Sequence, residues 1–448
     1  MIDKDRALAR CQELVALAVK QGADAADASF RGESSESISV RLGELEDASR
    51  SESEAIGLRV FVGQRSATIQ TSDLSEASFA VLAGRALEMA RHAPEDPYAG
   101  LAPDELLYRG ELPDLDLAAT AEPSPAQLRE WAEACEDAAR AVAGVTNSNG
   151  GGASAARSVA ALATSHGVAK ATAATGHSLS ASVIAGEGST MQTDHAWRSA
   201  RHAADLPAPE EIGREAGARA VARVNPGPMP SQTMPVVFDP RVGSGLLGHL
   251  LGAMSGAAVA RKTSFLLGHE DEALFDRAIR VVEDPLRRRG LASRAIDGEG
   301  LATSRRMLVE AGRIFGWLTN AAAARQLGAP LTGHAARGVG GAPGITTSNV
   351  HMEPGAVTPE ALIADIADGL YVTDLFGQGV NLVTGDYSRG AAGFRIVKGE
   401  LAGPVAEITI AGHMLEMFRA LTPADDLEFK RAVDVPTLRI DGMTVASA

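Results

Sequence analysis

Cysteine is nearly missing. Cys11 and Cys135 are the only two in 448 residues, and neither belongs to a CxxC pair. A disulfide framework and a cysteine zinc knuckle are therefore excluded. Aromatic residues are scarce at 4%, while glycine is abundant at 47 residues, so the cores must pack small side chains closely. Positive charge is short by 15, with 42 Lys and Arg against 57 Asp and Glu, which argues against a large nucleic-acid surface. The basic run Arg287-Arg288-Arg289 reads as a solvated loop. The opening MIDKDRALAR has no apolar run of the kind that heads a secreted chain, so a cytoplasmic location is expected.

What the chain does have is one charge-free stretch at 242–260, VGSGLLGHLLGAMSGAAVA. Five glycines and the lack of a second such stretch favour a buried helix of a soluble protein over a membrane span. Leu246, Leu247, Leu250, Leu251 and Met254 recur at helical spacing. Gly248, Gly252 and Gly256 fall every fourth residue along one side. Each glycine costs roughly 1 kcal/mol against alanine inside a helix, so this side is expected to pack against another backbone.

The surrounding pattern is α+β. A capped helix precedes alternating strands near 38–42, 56–63 and 67–71, followed by a helix at 74–92. A proline- and acid-rich connection at 96–125 leads to a helix from 126 to 143, a turn at 147–152, strands over 158–197 and a helix at 209–223. Three prolines and no periodicity make 225–234 the boundary, giving domains at 1–224 and 235–448. Beyond it the pattern predicts a hairpin at 307–318, a flexible loop at 338–344, strands near 370–374, 393–397 and 401–405, and a helix at 410–420. Each domain is expected to pack antiparallel or mixed sheet with helices.

Motifs for chemistry are mostly broken ones. HExxH is absent, and His269-Glu270 has no second histidine within reach. Ser388 lies in TGDYSRG, where Asp386 occupies the place that a GxSxG elbow reserves for glycine. The glycine-rich 338–344 run has Pro343 where GxGxxG needs its last glycine. Spacing alone leaves open whether His334, His351 and His413 converge. Asp386, Ser388, Arg389 and Gly390, in the run 385–390, are candidates for peptide or partner contact, as are His249 on the central helix and His334.

Six stretches carry a resemblance that spans nearly the whole chain in order: GLRVFVGQR at 57–65, SFLLG at 264–268, EDPLRRRGLASRAIDGEG at 283–300, ARQLGAPLTGHAAR at 324–337, GVNLVTGDYSRGAAGF at 379–394 and EITIAGHM at 407–414. Together they resemble the TldD/TldE (PmbA) family, on its TldE/PmbA branch. The resemblance implies two α+β domains and a partner, TldD, that carries a zinc-binding HExxxH motif and a later cysteine ligand. Laid on that motif, this chain has Gly248 and Ala253 at the ligand places and His249 at the glutamate place. The implied protein is a non-catalytic subunit of a zinc metalloprotease that acts on unfolded peptides, with no cofactor of its own and zinc in the partner. It would form a heterodimer with the TldD-like subunit, or a homodimer when alone, and would bind neither nucleic acid nor membrane. Two rivals from other classes are a free-standing binding or regulatory protein, in the manner of a gyrase modulator, and an autonomous hydrolase with an unrecognised site.

Overall fold

The computed structural model describes residues 3–377 and 379–447. The first half rests on one six-stranded antiparallel sheet in the order β3-β2-β1-β4-β5-β6. Its strands are β1 Ala25–Arg41, β2 Glu44–Val62, β3 Arg65–Thr71, β4 Val145–Thr164, β5 Ala169–Ala185 and β6 Gln192–Ala200. Four of them run 17 to 20 residues, too long for one pair of helices to cover. Helices α1 Lys4–Lys20 and α2 Glu76–His92 therefore cover one end, and α3 Pro125–Arg140 and α4 Pro209–Ala222 cover the other. Strand alternation puts Ala26, Ala28 and Phe30 of β1 under the first pair and Ile38 and Val40 under the second. All four helices thus share one face of the sheet.

The strands are longer than their apolar pattern foretold because helices fix their far ends. Glu136 of α3, 1% exposed, accepts the backbone N–H groups of Leu42 and Gly43 at 2.7 and 3.0 Å and so holds the β1–β2 turn. Residues 147–152, expected as a turn, belong to β4. Their glycines allow α3 to press onto the strand: a Cβ on Gly151 would stand 2.2 Å from the Ala132 carbonyl oxygen.

In the second half β7 Gln232–Phe238 leads into α5 Pro240–Ala253 and α6 Gly256–Ala260. The single helix expected over 242–260 is interrupted at Ser255, where the chain pairs with a neighbouring segment. The Gly256 N–H donates to the Leu318 carbonyl at 2.7 Å, and the Leu318 N–H donates to Met254 at 3.0 Å. There follow β8 Val281–Glu283, β9 Arg306–Glu310, β10 Arg313–Ile314, α7 Ala321–Leu327, β11 Ala335–Ala336, β12 Gly344–Ile345, β13 Val350–Met352 and α8 Pro359–Ile363. The chain ends with β14 Asp368–Phe376, β15 Asp386–Val397, β16 Glu400–His413, α9 Met414–Arg419, β17 Leu421–Pro423, β18 Val433–Asp434 and β19 Leu438–Ser447. Residues 410–413, expected as helix, thus finish β16, and only the two residues of β10 pair where a strand to 318 was expected.

Strands β16-β15-β14-β7-β19-β17 form the larger sheet, and residues 408–411 of β16 also pair with 444–447 of β19. Five strands therefore close on themselves, which removes open edges. A smaller sheet, β10-β9-β8-β13-β18, stands beside them. The core of this half joins Leu246, Leu247 and Leu250 of α5 to Phe238, Leu370, Val372 and Ile410 of the closed strands.

The two halves meet across the helix-free face of the first sheet, on a buried ion cluster. Asp27 of β1, 2% exposed, accepts Arg59 of β2 at 2.5 and 2.6 Å and Arg337 of the second half at 2.9 Å. Arg337 also donates to the carbonyls of Gly338 and Gly341, and Ser29 donates to Gly338 at 2.7 Å. The 338–344 loop, expected to be flexible, is thereby clamped against the sheet. A Cβ on Gly57 would lie 1.7 Å from the Val339 oxygen, so only glycine admits the loop. The proline-rich connection adds a strap, with Arg325 donating to the Tyr98 and Gly100 carbonyls. In the basic run Arg288 and Arg289 are exposed, as expected, although Arg289 pairs with Asp116 and Asp205 at 2.6 and 2.9 Å; Arg287 is half-buried and lies 4.0 Å over the Phe429 ring.

Removing one partner of a buried ion cluster leaves the others uncompensated, at about 3–5 kcal/mol. Asp27→Ala should lower unfolding stability by that amount in denaturant titration, and Asp27→Glu should recover only part of it. Glu299, beside Arg59 at 4.0 Å, supplies a pH dependence: burial pushes its carboxyl from the ordinary 4.5 up to about 7. A group raised in the fold contributes stability fully below its ordinary pKa, and that contribution is lost as pH rises through the raised value. Melting temperature should therefore fall from about pH 5 to 8, and Glu299→Gln should flatten that fall.

Candidate functional site

Helix α5 starts where Asp239 accepts the Arg241 N–H at 2.9 Å and Pro240 occupies the first turn. Its leucine side enters the core, as the spacing required. Its glycine side does not. Cβ atoms built on Gly245, Gly248 and Gly252 meet nothing within 4 Å. The expectation that this side packs against backbone is thus corrected: the elements around α5 cover only the leucines. Close approach occurs instead at Gly256, where a Cβ would stand 2.9 Å from the Leu318 oxygen. Ser244, Gly245, Gly248, His249 and Gly252 form an open lane, with Gly248 exposed and the others half-buried.

Strand β15 crosses beside this lane. Alternation makes Asp386 and Ser388 exposed and Tyr387 buried. Tyr387, 2% exposed, sets its ring 6.3 Å from the His249 imidazole, edge to face, and its hydroxyl has no hydrogen-bond partner among the described residues. Burial, and then the nearby Arg389 guanidinium, hold the His249 pKa below the usual histidine value. The imidazole is therefore neutral near pH 7. Arg389 donates to the Leu375 carbonyl at 3.4 Å, and its Nε is buried without a partner among the described residues.

The run 385–390, expected as a loop, is strand from Asp386 onward. Asp386 accepts the Thr384 hydroxyl at 2.6 Å, and the Ser388 N–H donates to Gly379 at 2.7 Å. Gly390 faces Phe376, 3.4 Å from where its Cβ would be. His334 stands apart from this group. Its ring nitrogens lie 2.7 Å from Glu283 and 2.8 Å from the Thr332 hydroxyl, with 2% of the side chain exposed. His351 contacts Arg287 at 3.3 Å, and His413 lies 2.8 Å from the Thr384 carbonyl. These three histidines each have separate partners.

The residues at the motif places do not suit a zinc ion. Gly248 and Ala253 offer no ligand atom, and His249 is a single imidazole on the open lane. Among the described residues no three His, Cys, Asp or Glu side chains gather as a metal site. No helix among the described residues is long and apolar enough to cross a membrane. Sequence reasoning missed Tyr387, for which the period-two pattern of DYSRG held a signal.

A long sheet with helices on one face, joined by a buried ion cluster to closed strands that cradle a glycine-lined helix, defines a two-part scaffold that is also seen in solved proteins. TldE from Thermococcus kodakarensis superposes with a TM-score of 0.86 over 98% of this chain and all of its own, at 22% identity. A protein from Bacteroides thetaiotaomicron solved as a candidate modulator of DNA gyrase gives 0.91 over the full length of both, at 25% identity. Family models described as PmbA/TldA metallopeptidase match domain 1 at residues 26–90, the central domain at 119–224 and the C-terminal domain at 231–447. The metalloprotease PmbA of Escherichia coli O157:H7 is 37% identical over 92% of this chain and 89% of its own length. The PmbA homolog of Haemophilus influenzae is 35% identical over 96% and 94%. This chain belongs to the PmbA/TldD metallopeptidase family.

The open lane separates two glycines that the sequence treats alike. Gly252→Ala should raise stability by roughly 1 kcal/mol, the helix cost of glycine, since nothing in the chain opposes the methyl. Gly256→Leu should lower it by about 1–3 kcal/mol through overpacking. Thermal unfolding of the two variants tests the assignment, and equal shifts would refute it.

Proposed function

We propose that this chain is the non-catalytic subunit of a two-subunit zinc metalloprotease of the TldD/TldE type, acting on unfolded peptides in the cytoplasm. The observation that carries the reading is α5: a helix that bears glycines at 245, 248 and 252, faces them to open space and supplies no pair of metal ligands. Glycines that destabilise a helix without any close neighbour in their own chain make sense when the neighbour comes from outside. An extended peptide or a partner's backbone fits such a lane. Zinc and the HExxxH residues belong, in this reading, to a TldD-like partner, and this chain closes the chamber and positions substrate. Positioning is a real catalytic contribution, because a bound, oriented peptide spares the reaction much of its entropic cost.

His249 is the one imidazole on the lane, and its depressed pKa suits a neutral hydrogen-bonding group rather than a cation. Hydrolysis of an unstructured peptide should require both subunits and should stop on addition of a chelator. His249→Gln should reduce it less than loss of the partner's glutamate. Gly252→Leu should leave this chain folded but abolish turnover by the reconstituted pair, because the lane is blocked. Turnover by this chain alone that resists chelators would favour an autonomous hydrolase. Failure to co-purify with the HExxxH subunit would favour a free-standing binding protein.

A further inference from the structure

The lane on α5 ends in a cavity. About 330 Å³ of space lies where β6 and α4 of the first half face α5, β14 and β15 of the second. Five arginines line it: Arg198, Arg219, Arg241, Arg389 and Arg431. Only two carboxylates, Asp194 and Asp374, share the walls, and both are occupied. Asp194, 2% exposed as a side chain, takes Arg241 at 2.8 Å and Arg223 at 3.3 Å, and Asp374 takes Arg223 at 3.0 Å. Arg198 and Arg219 share Glu215 at 2.9 and 2.5 Å. Arg389 and Arg431 form no salt bridge among the described residues; Arg431 lies instead 5.5 Å from the centre of the Trp197 ring.

The walls also hold unused hydrogen-bonding capacity. Thr373 lines the cavity at 6% exposure, and its buried hydroxyl has no partner among the described residues. The Nε atoms of Arg241 and Arg389 are buried and likewise have no hydrogen-bond partner among the described residues, although Arg241 Nε lies 4.0 Å from Asp239. Burial lowers the Arg431 pKa; Asp434 and Asp239 oppose the shift, and Arg198 and Arg219 add to it. Half-buried guanidinium groups in excess over acids, beside an unsatisfied hydroxyl, are costly unless an anion completes them.

We propose that this cavity binds a carboxylate of the peptide that lies along α5, received by Arg389 and Arg431 with the Thr373 hydroxyl. This deepens the reading of the chain as a peptide-positioning subunit and rests on it. A guanidinium group recognises the planar carboxylate through two parallel N–H···O bonds. The geometry sets the scale. Ser244 and Gly245 line both the cavity and the lane, and Ser244 to Gly252 spans roughly 12 Å of helix. About four residues of an extended peptide cover that distance. The carboxylate is a peptide C-terminus or an Asp or Glu side chain, about four residues from the far end of the lane.

Calorimetric titration of the isolated full chain tests the proposal without any turnover. The probes are a short unstructured peptide with a C-terminal Glu, its C-terminal amide, the amidated Gln counterpart without any carboxylate, and inorganic phosphate. The acidic peptides should bind about tenfold or more tightly than the neutral one. Loss of binding on amidation alone assigns the terminal carboxylate, and retention assigns the side chain. Arg389→Gln and Arg431→Gln should each weaken acidic-peptide binding about tenfold without lowering the melting temperature, and Arg389→Lys should restore part of the binding. Equal binding of neutral and acidic peptides, indifference to both substitutions, or binding of phosphate alone would overturn the proposal. Reconstituted turnover that persists in that event would leave the subunit reading standing, so the two failures are distinguishable.

Discussion

Asp27 is the point on which the architecture turns. One buried carboxylate takes an arginine from its own sheet and another from the far half of the chain. Neither guanidinium could be buried there alone, because an uncompensated charge in the interior costs several kcal/mol. The cluster also orders what lies next to it. Arg337 pins the glycine-rich 338–344 loop, and Gly57 leaves room for it. The cavity depends on this docking, since one wall comes from β6 and α4 and the other from α5, β14 and β15.

The stretches that carry the family resemblance acquire a physical reason from this arrangement. GLRVFVGQR supplies Gly57 and Arg59, AIDGEG supplies Glu299, and GHAAR supplies Arg337. All are seam residues. Their side chains build the joint between the halves.

The glycines of this chain do two opposite jobs. At Gly57, Gly151 and Gly256 they admit a neighbouring backbone inside the chain, with a Cβ less than 3 Å from a carbonyl oxygen. At Gly248 and Gly252 they admit nothing in the chain and leave a helix backbone open. A helix weakened in this way survives because its leucine side is anchored in the largest core of the molecule. Stability and access are thereby divided between two faces of one element.

The sequence by itself determined the α+β class, the helix spacing of the leucines in α5 and the family. Each of these is a local pattern or a match of residues in order. It did not determine the lengths of the first sheet's strands, because residues 33–37 and 147–152 lack the apolar alternation that marks a strand; their pairing is enforced by β4, β5 and α3 packed upon them. Nor did spacing distinguish Gly252 from Gly256, since both repeat every fourth residue and only the position of Leu318 separates them. The arginine cavity was illegible for a related reason: Arg198, Arg219, Arg241, Arg389 and Arg431 lie far apart in the chain, and each alone reads as an ordinary surface charge. Docking of the two halves brings them around one cavity, and only tertiary structure can turn five separate cations into a site.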